Sequence, residues 1–216
     1  TNRAVDELCG MLEDIVKSSP DLLTDYLRLG HVVSASPQYH DRMMESRLEK
    51  YGAKSDVVQK LLADARIVVA TVSTMSLQST LLRSMHFDVA FVDEASQILE
   101  PYIMPVYVEQ SVDRYVLVGD QKQLPAVVMQ NSSMSDISDM ALKDAGLHNC
   151  AESLFSRMLH RFMDQGRTDL YYQINTQGRM HPELFKFVNS QFYCNQLKPV
   201  PLKHQSRSIE ELYPTV

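Results

Sequence analysis

The pattern of apolar positions divides the chain into a helical amino-terminal part and a later part of short apolar runs. Near the start, apolar side chains recur at helical spacing, as at Val5, Leu8, Leu12 and Val16, until a Ser-Ser-Pro break at 18–20. The stretch before residue 65 is therefore predicted to form two or three helices. Residues 40–60 are rich in charged helix formers and lack strand-like alternation, which predicts a solvated helical arm.

From residue 66 onward, short β-branched runs alternate with helical patterns. The runs are Ile67–Thr71, Val89–Val92 and Tyr115–Val118, and helices are predicted between them at 77–85 and 98–108. Fully apolar strands that alternate with helices are typical of a parallel sheet with both faces covered. The predicted fold class is therefore α/β.

The rest of the chain is less regular. Residues 136–149 are polar and predict turns, 151–163 predict a helix, and Leu170–Ile174 predicts a further strand. An apolar helix is predicted through residues 184–188. The polar, proline-containing tail from Lys198 is predicted to cross to another domain.

Composition narrows the class of protein. The formal net charge is -6, so any binding to nucleic acid is predicted to use a local groove rather than a global positive field. No apolar run approaches the ~20 residues that span a bilayer, and no basic, apolar leader opens the chain, which predicts a protein that is soluble, intracellular and not bound to membranes. The cysteines Cys9, Cys150 and Cys194 have no metal-site or disulfide spacing.

Two predicted strands end in chemically useful residues. Ligands of open α/β sheets bind at the carboxyl ends of strands. Asp93 and Glu94 follow one strand, where one carboxylate can hold Mg²⁺ and the other can orient an attacking water, although such a pair can also cap the next helix. After the next strand, Gln123 can sense a γ-phosphate, unless this is an ordinary loop in which Gly119 only makes the turn.

Together these segments resemble the ordered motifs of superfamily 1 helicases. Val92–Gln97 resembles motif II, Gly119–Pro125 motif III, and Gln177–Pro182 the motif IV element of the branch with the nonsense-mediated-decay RNA helicase and senataxin. Thr1–Asp6 resembles motif Ia, and Ala70–Met75 resembles the nucleic-acid-contacting motif that follows. The resemblance implies a partial RecA-like P-loop NTPase domain, with a parallel sheet flanked by helices and a helical arm near the amino terminus.

The resemblance also implies roles in ATP hydrolysis. Asp93 is expected to bind Mg²⁺, Glu94 to act on water and Gln123 to contact the γ-phosphate, while Gln177 and Arg179 are expected at the nucleotide. Arg179 is expected to act as an arginine finger, because a guanidinium offsets charge on the transferred phosphoryl group. The alternative is that Arg179 is an ordinary surface or helix-capping arginine. The implied cofactors are ATP and Mg²⁺.

Contacts to single-stranded DNA or RNA are expected at Asn2, Thr71, Ser73 and Thr74. Their amide and hydroxyl groups can bind phosphate and sugar without reading bases. The alternative for these residues is ordinary helix capping.

The sequence departs from the family in two respects. It contains no GxxxxGK[ST] loop, which is expected upstream in a longer protein, as a second motor domain is expected downstream. Residues 1–175 are expected to form the carboxyl-terminal part of the first motor domain, in which 30–65 can be a helical accessory insertion. Motif IV and the crossing toward the second motor domain are expected over 176–216. Gly178 stands where relatives commonly carry an aromatic residue, which predicts relaxed nucleotide selectivity.

The leading hypothesis is an ATP-driven helicase or translocase, with 5′ to 3′ polarity by resemblance and with the isolated piece inactive. A degenerate module that binds nucleic acid or protein without hydrolysis is the alternative. A metal hydrolase using Asp93, Glu94 and Asp120 is a third possibility that the sequence supports poorly.

Overall fold

The computed structural model describes residues 1–200, Leu202 and Gln205. Its helices are α1 (Asn2–Ser18), α2 (Met44–Tyr51), α3 (Ser55–Asp64), α4 (Val72–Leu77), α5 (Ser79–Leu82), α6 (Glu100–Val108), α7 (Met140–Asp144), α8 (Leu154–Asp164) and α9 (Pro182–Phe192). Its strands are β1 (Leu27–Arg28), β2 (Val68–Val69), β3 (Phe87–Val92), β4 (Val112–Leu117), β5 (Thr176–Gln177) and β6 (Lys198–Pro199). The strands pair in parallel as β1 with β2, β3 with β4 and β5 with β6. The α/β class is therefore confirmed.

The chain forms two compact units, residues 1–157 and residues 158–216. In the second unit, the buried Asn189 of α9 fixes the segment before β6. Its amide nitrogen donates to the Leu197 carbonyl at 3.0 Å, and its amide oxygen accepts from the Leu197 N–H at 3.0 Å. These two hydrogen bonds hold the segment that follows α9 against the end of that helix.

Helices cover both faces of the β1–β2 pair, as the sequence predicts. On one face, Tyr26 and Val69 pack with Val5 and Cys9 of α1. On the other face, Leu27 and Val68 join a second apolar cluster that includes residues of α3. Since successive side chains of a strand point to opposite faces, two adjacent apolar residues are enough to anchor both layers.

The β3–β4 pair is covered unevenly. Tyr115 stacks on Tyr107 of α6 with ring centroids 3.9 Å apart, so α6 covers that face. On the opposite face Phe91 is 75% exposed, and Val116 of the paired strand is also exposed. The prediction that both faces are covered fails here, because no described element lies over the carboxyl half of this face.

The charged arm is helical as predicted, but it is not simply solvated. Arg42 donates to Glu13 of α1 at 2.7 Å and to Asp25 at 2.6 Å. Arg47 of α2 donates two hydrogen bonds of 2.7 Å to the same Asp25 carboxylate. Met43, between them, is fully buried. The sequence-based prediction was wrong on this point because the partners lie 17 to 29 residues away.

The predictions for the later part of the chain are confirmed in part. The helices at 151–163 and 184–188 are confirmed as α8 and α9, and the turn region 136–149 contains the short helix α7. The strand at Leu170–Ile174 is wrong: these residues are irregular and Ile174 is 69% exposed, so they lack both a ladder partner and burial. Most of the tail from Lys198 lies outside the described residues. In the described part, no helix is long and apolar enough to cross a membrane.

Candidate functional site

The carboxyl ends of β3 and β4 lie side by side. Val92 pairs with Leu117, and the Val118 N–H donates to the Val92 carbonyl at 2.8 Å. The Ala95 N–H then donates back to the Val118 carbonyl at 2.8 Å. The polar residues after each strand therefore leave the sheet at one edge, where ligands of such sheets bind.

Asp93 and Glu94 are both exposed at this edge. The Asp93 Oδ1 atom accepts from the Glu94 N–H at 3.0 Å, and the Glu94 Oε2 atom accepts from the Gln97 side-chain amide at 3.1 Å. Glu94 has a left-handed backbone with φ 53° and makes no side-chain capping bond to the 3₁₀ turn at Ala95–Gln97. Left-handed conformations of residues other than glycine are costly and cluster at functional sites. For Glu94, the capping alternative therefore does not describe the geometry.

Ser96 and Gly119 join the two strand-end loops. The buried Ser96 hydroxyl accepts from the Asp120 N–H at 3.1 Å. A Cβ on Gly119 would lie 2.8 Å from the Ser96 backbone nitrogen, closer than real contacts allow. Gly119 is therefore needed for a close approach of two backbones, which differs from the simple turn considered from sequence.

Gln123 is held beside the same edge by Asp120. Its side-chain amide donates to the Asp120 Oδ2 atom at 3.0 Å, while the Lys122 N–H donates to Oδ1 at 3.0 Å. Asp120 thus fixes the loop that presents Gln123, whose side chain is exposed. In the described residues no group of three or more His, Cys, Asp or Glu side chains could hold a metal ion by itself.

Gln177 and Arg179 belong to the second compact unit. The Gln177 amide oxygen accepts from the N–H groups of Arg179 at 3.1 Å and Met180 at 2.9 Å, so this side chain braces its own loop. The Arg179 side chain is exposed. His181 caps α9 by accepting from the Glu183 N–H at 3.3 Å, and α9 begins at Pro182, as the sequence predicts for a structural pair.

The predicted nucleic-acid contacts lie at helix starts in the first unit. Asn2 is the first residue of α1 and is half-buried. Thr71 precedes α4, where its hydroxyl accepts from the Thr74 N–H at 3.1 Å and lies 2.9 Å from the Thr74 hydroxyl. The capping alternative therefore holds for Thr71. Ser73, in the first turn of α4, is exposed.

Comparisons with known proteins agree on one family. The AAA domain family matches residues 38–131. The "DNA replication ATP-dependent helicase/nuclease DNA2" of Bos taurus is 27% identical over 174 residues, which are 80% of this chain and 14% of that protein. The "Probable helicase MAGATAMA 3" of Arabidopsis thaliana is 35% identical over 138 residues, 64% of this chain and 14% of that protein. "Helicase sen1" of Schizosaccharomyces pombe is 30% identical over 139 residues, 64% of this chain and 7% of that protein.

These matches indicate a piece of a superfamily 1 helicase of the senataxin-like and DNA2-like branch. The α/β architecture of the chain fits part of a RecA-like helicase domain. The chain spans 14% to 18% of the length of the first relatives that it matches. The joined loops at the β3–β4 edge are the segments that resemble motifs II and III, and the segment before α9 is the one that resembles motif IV.

Two residues that shape this candidate site, Ser96 and Asp120, could not be recognised in these roles from the sequence. Ser96 lies within the motif II resemblance, but nothing local indicates that its hydroxyl is buried against the Asp120 N–H. Asp120 appears in the sequence as a third carboxylate, and only the structure reveals that it holds the motif III loop. A serine two residues after a strand-end carboxylate pair was the one available signal.

Proposed function

We propose that the chain is part of an ATP-dependent motor that couples ATP hydrolysis to movement along single-stranded DNA or RNA. The observation that carries this proposal is the joining of the carboxylate loop and the glutamine loop at one sheet edge through the Ser96–Asp120 hydrogen bond of 3.1 Å. Several relatives, DNA2 among them, are named ATP-dependent helicases, which supports the same cofactor here.

The exposed carboxylates fit a nucleotide-bound Mg²⁺. Among the described residues, one Asp93 oxygen is engaged, by the Glu94 N–H at 3.0 Å, and the other oxygen can bind an octahedral ion. Mg²⁺ is usually bound by one or two carboxylates, water and substrate phosphates, so no larger acidic cluster is needed. When bound, Mg²⁺ would neutralise charge on the β- and γ-phosphates. Asp93 would hold it and Glu94 would orient and deprotonate the attacking water.

Gln123 and Arg179 are each proposed to contact the nucleotide. Gln123 is presented at the motif III loop by Asp120, and its amide can hydrogen-bond a γ-phosphate oxygen. The Arg179 guanidinium is exposed and makes no ion pair in the described part of the chain, so it is available for a phosphoryl group. An arginine in this role is worth ~10³ to 10⁵ in rate in other nucleoside triphosphatases. Gln177 would act at the nucleotide mainly by bracing the Arg179 loop.

The exposed face of the β3–β4 pair supports the proposal that another segment of the protein packs against it. Phe91 is 75% exposed and Val116 is 40% exposed on neighbouring strands of a parallel sheet. Such sheets are stable when both faces are covered. We propose that a P-loop segment covers this face, and that a second motor domain completes the nucleotide site. The first motor domain would then extend to about residue 175, and the isolated chain would bind ATP poorly and hydrolyse none.

The nucleic-acid contacts would lie at the starts of α1 and α4. The exposed Ser73 hydroxyl is available for a phosphate or sugar oxygen, and Thr71 would act by shaping the α4 start. Asn2 would contribute its amide. We place the protein in the cytoplasm or nucleus, where such strands occur.

The test is ATP hydrolysis by the complete protein with and without single-stranded DNA or RNA. The proposal predicts hydrolysis that rises when either strand is added. Strand binding without any hydrolysis would instead support the alternative of a degenerate binding module. A strand-displacement assay with each overhang polarity then tests the expected 5′ to 3′ direction.

A further inference from the structure

A cleft of about 450 Å³ opens at the carboxyl ends of the other parallel pair, β1 and β2. Leu29, Gly30 and His31 follow β1, and Thr74 lies in the α4 turn that follows β2. This volume is within the range of small-ligand sites, roughly 300 to 1,000 Å³. The cleft lies where open α/β sheets place their ligands, at a distinct strand pair from motifs II and III.

The cleft has apolar walls and a polar rim. Leu29, Met44, Leu48 and Leu81 contribute aliphatic surface. Gln78 and Thr74 add an amide and a hydroxyl. Flat apolar faces with hydrogen-bonding edges are the chemical properties of a nucleobase.

Charge decides which part of a nucleotide the cleft fits. The residues that line it include the Glu45 carboxylate but no lysine or arginine. Glu45 accepts from the Val32 N–H at 2.8 Å and lies 3.6 Å from His31 Nδ1, so the carboxylate is fixed at the rim. A phosphate inside the cleft would be repelled, whereas an exocyclic amine of a base can donate to this carboxylate. An uncharged base is therefore favoured inside and its phosphate outside.

The backbone at Gly30 keeps one wall open. Its φ of +133° is a conformation that side chains rarely adopt. A Cβ built at this glycine would lie 3.7 Å from Nη1 of the fully buried Arg28 and 3.8 Å from the hydroxyl oxygen of Thr74, so a side chain there would stand beside the rim. Glycine thus leaves room next to the α4 start, where Ser73 is exposed.

We propose that this cleft accepts one nucleobase of the single strand. The inference rests on the proposed function and adds a base contact to contacts otherwise confined to sugar and phosphate. Such a contact needs no aromatic stacking platform, because aliphatic walls accept the face of any base. The site would therefore tolerate every sequence, and it would accept DNA and RNA alike.

The test compares labelled single strands of equal length that carry bases or abasic spacers, in DNA and RNA forms, bound to the complete protein. Leu77→Asp places a charge at the cleft wall from a side chain that is already 87% exposed, so folding should be preserved. Val33→Asp adds the same charge at a residue that is 91% exposed and does not line the cleft. Both variants add the same charge at an exposed position, so a loss of binding that is confined to Leu77→Asp and to the base-bearing strand reports a base contact.

We expect Leu77→Asp to weaken binding of the base-bearing strand by about fivefold or more, the loss of roughly one base contact. Binding of the abasic strand should change little, and Val33→Asp should change neither. A strand with 5-iodouracil should crosslink to the peptides that contain His31 or Met44. Equal effects of Leu77→Asp on both strands, or crosslinks only elsewhere, would overturn the inference.

The two proposals fail in different ways. If the complete protein binds strands and its hydrolysis responds to them, but abasic spacers and Leu77→Asp make no difference, only the base cleft is wrong. If the protein neither binds strands nor responds to them, the motor proposal and the cleft fall together.

Discussion

The Ser96 hydroxyl accepts a hydrogen bond of 3.1 Å from the Asp120 N–H, and this contact joins the loops that follow β3 and β4. Asp120 in turn holds the Gln123 amide at 3.0 Å. One buried hydroxyl therefore links the motif II carboxylates to the motif III glutamine. Activity in the proposed motor should depend on this link as well as on the exposed groups.

Ser96→Ala should uncouple the two loops. Losing the hydroxyl leaves the Asp120 N–H without its acceptor, which should lower the free energy of unfolding by about 1 to 2 kcal/mol. It should also lower kcat for ATP more than it raises KM, because positioning is lost. The measurements are denaturant unfolding and steady-state hydrolysis.

Ser153→Ala is the matched control for this variant. The Ser153 hydroxyl is also buried and accepts a 3.1 Å bond from the Ser156 N–H, but it lies at the start of α8. It should show a similar loss of stability with unchanged kcat. Equal kinetic effects of both variants would refute a specific role for Ser96.

Gly119→Ala should be more damaging than its size suggests. The added Cβ would lie 2.8 Å from the Ser96 backbone nitrogen, and backbone cannot move as a side-chain end does. We expect a loss of about 1 to 3 kcal/mol in unfolding free energy. Gly178→Ala is the control, since among the described residues its Cβ would meet the flexible end of the Leu202 side chain, at 3.1 Å. A smaller loss for Gly119→Ala than for Gly178→Ala would contradict the close-approach explanation.

The buried Arg28 should be stabilising only while Asp6 is present. Arg28 is fully buried, its Nη2 lies 2.9 Å from the Asp6 Oδ1, and its Nε has no hydrogen-bond partner in the described structure. Removing one partner of a buried pair costs about 3 to 5 kcal/mol, because the other charge is left uncompensated. Asp6→Asn should therefore destabilise strongly, whereas Asp6→Asn with Arg28→Leu should recover most of the loss. A double variant as unstable as the sum of the single variants would argue against this coupling.

The contact between the charged arm (residues 40–60) and α1 should be less stable in acid. Hydrogen bonds from the Arg42 guanidinium hold the pKa of Glu13 below its ordinary value of 4.5. The folded pKa is depressed, so the stabilising contribution is complete above the unfolded pKa and is lost as the pH falls through the folded pKa. Unfolding free energy should thus decrease below about pH 4.5. Glu13→Gln should make that decrease shallower in urea titrations at successive pH values. An unchanged slope would exclude Glu13 as its source.

Local patterns predicted the elements that are long or strongly periodic. The spacing from Val5 to Val16 predicts α1, and the apolar run before Asp93 predicts β3. β1 was missed because two ladder residues are too few to form a pattern, although adjacent Leu27 and Arg28 are fully buried. Leu170–Ile174 has strand composition, but no neighbouring backbone pairs with it in the described structure. The amino-acid composition of a segment does not show whether another strand is available to pair with it.

The candidate site was predictable in position but not in its internal bonds. Since parallel strands deliver their ends to one edge, Asp93 and Gln123 were expected close together from topology alone. The contacts of Ser96 and Gly119 depend on backbone separations of a few ångströms, which residue types do not encode. The same holds for Arg42 and Arg47, whose acidic partners are distant in sequence.

The most direct test of the motor proposal is the Glu94→Gln variant of the complete protein, measured for ATP binding and for turnover with single-stranded nucleic acid. The change keeps the shape of the side chain and an oxygen that can accept from Gln97, but it removes the base. Glu49→Gln, which makes the same change at an exposed carboxylate of α2, is the control. We predict that Glu94→Gln lowers turnover by at least about 100-fold with ATP affinity unchanged. Turnover equal to that of the Glu49→Gln control would contradict the account.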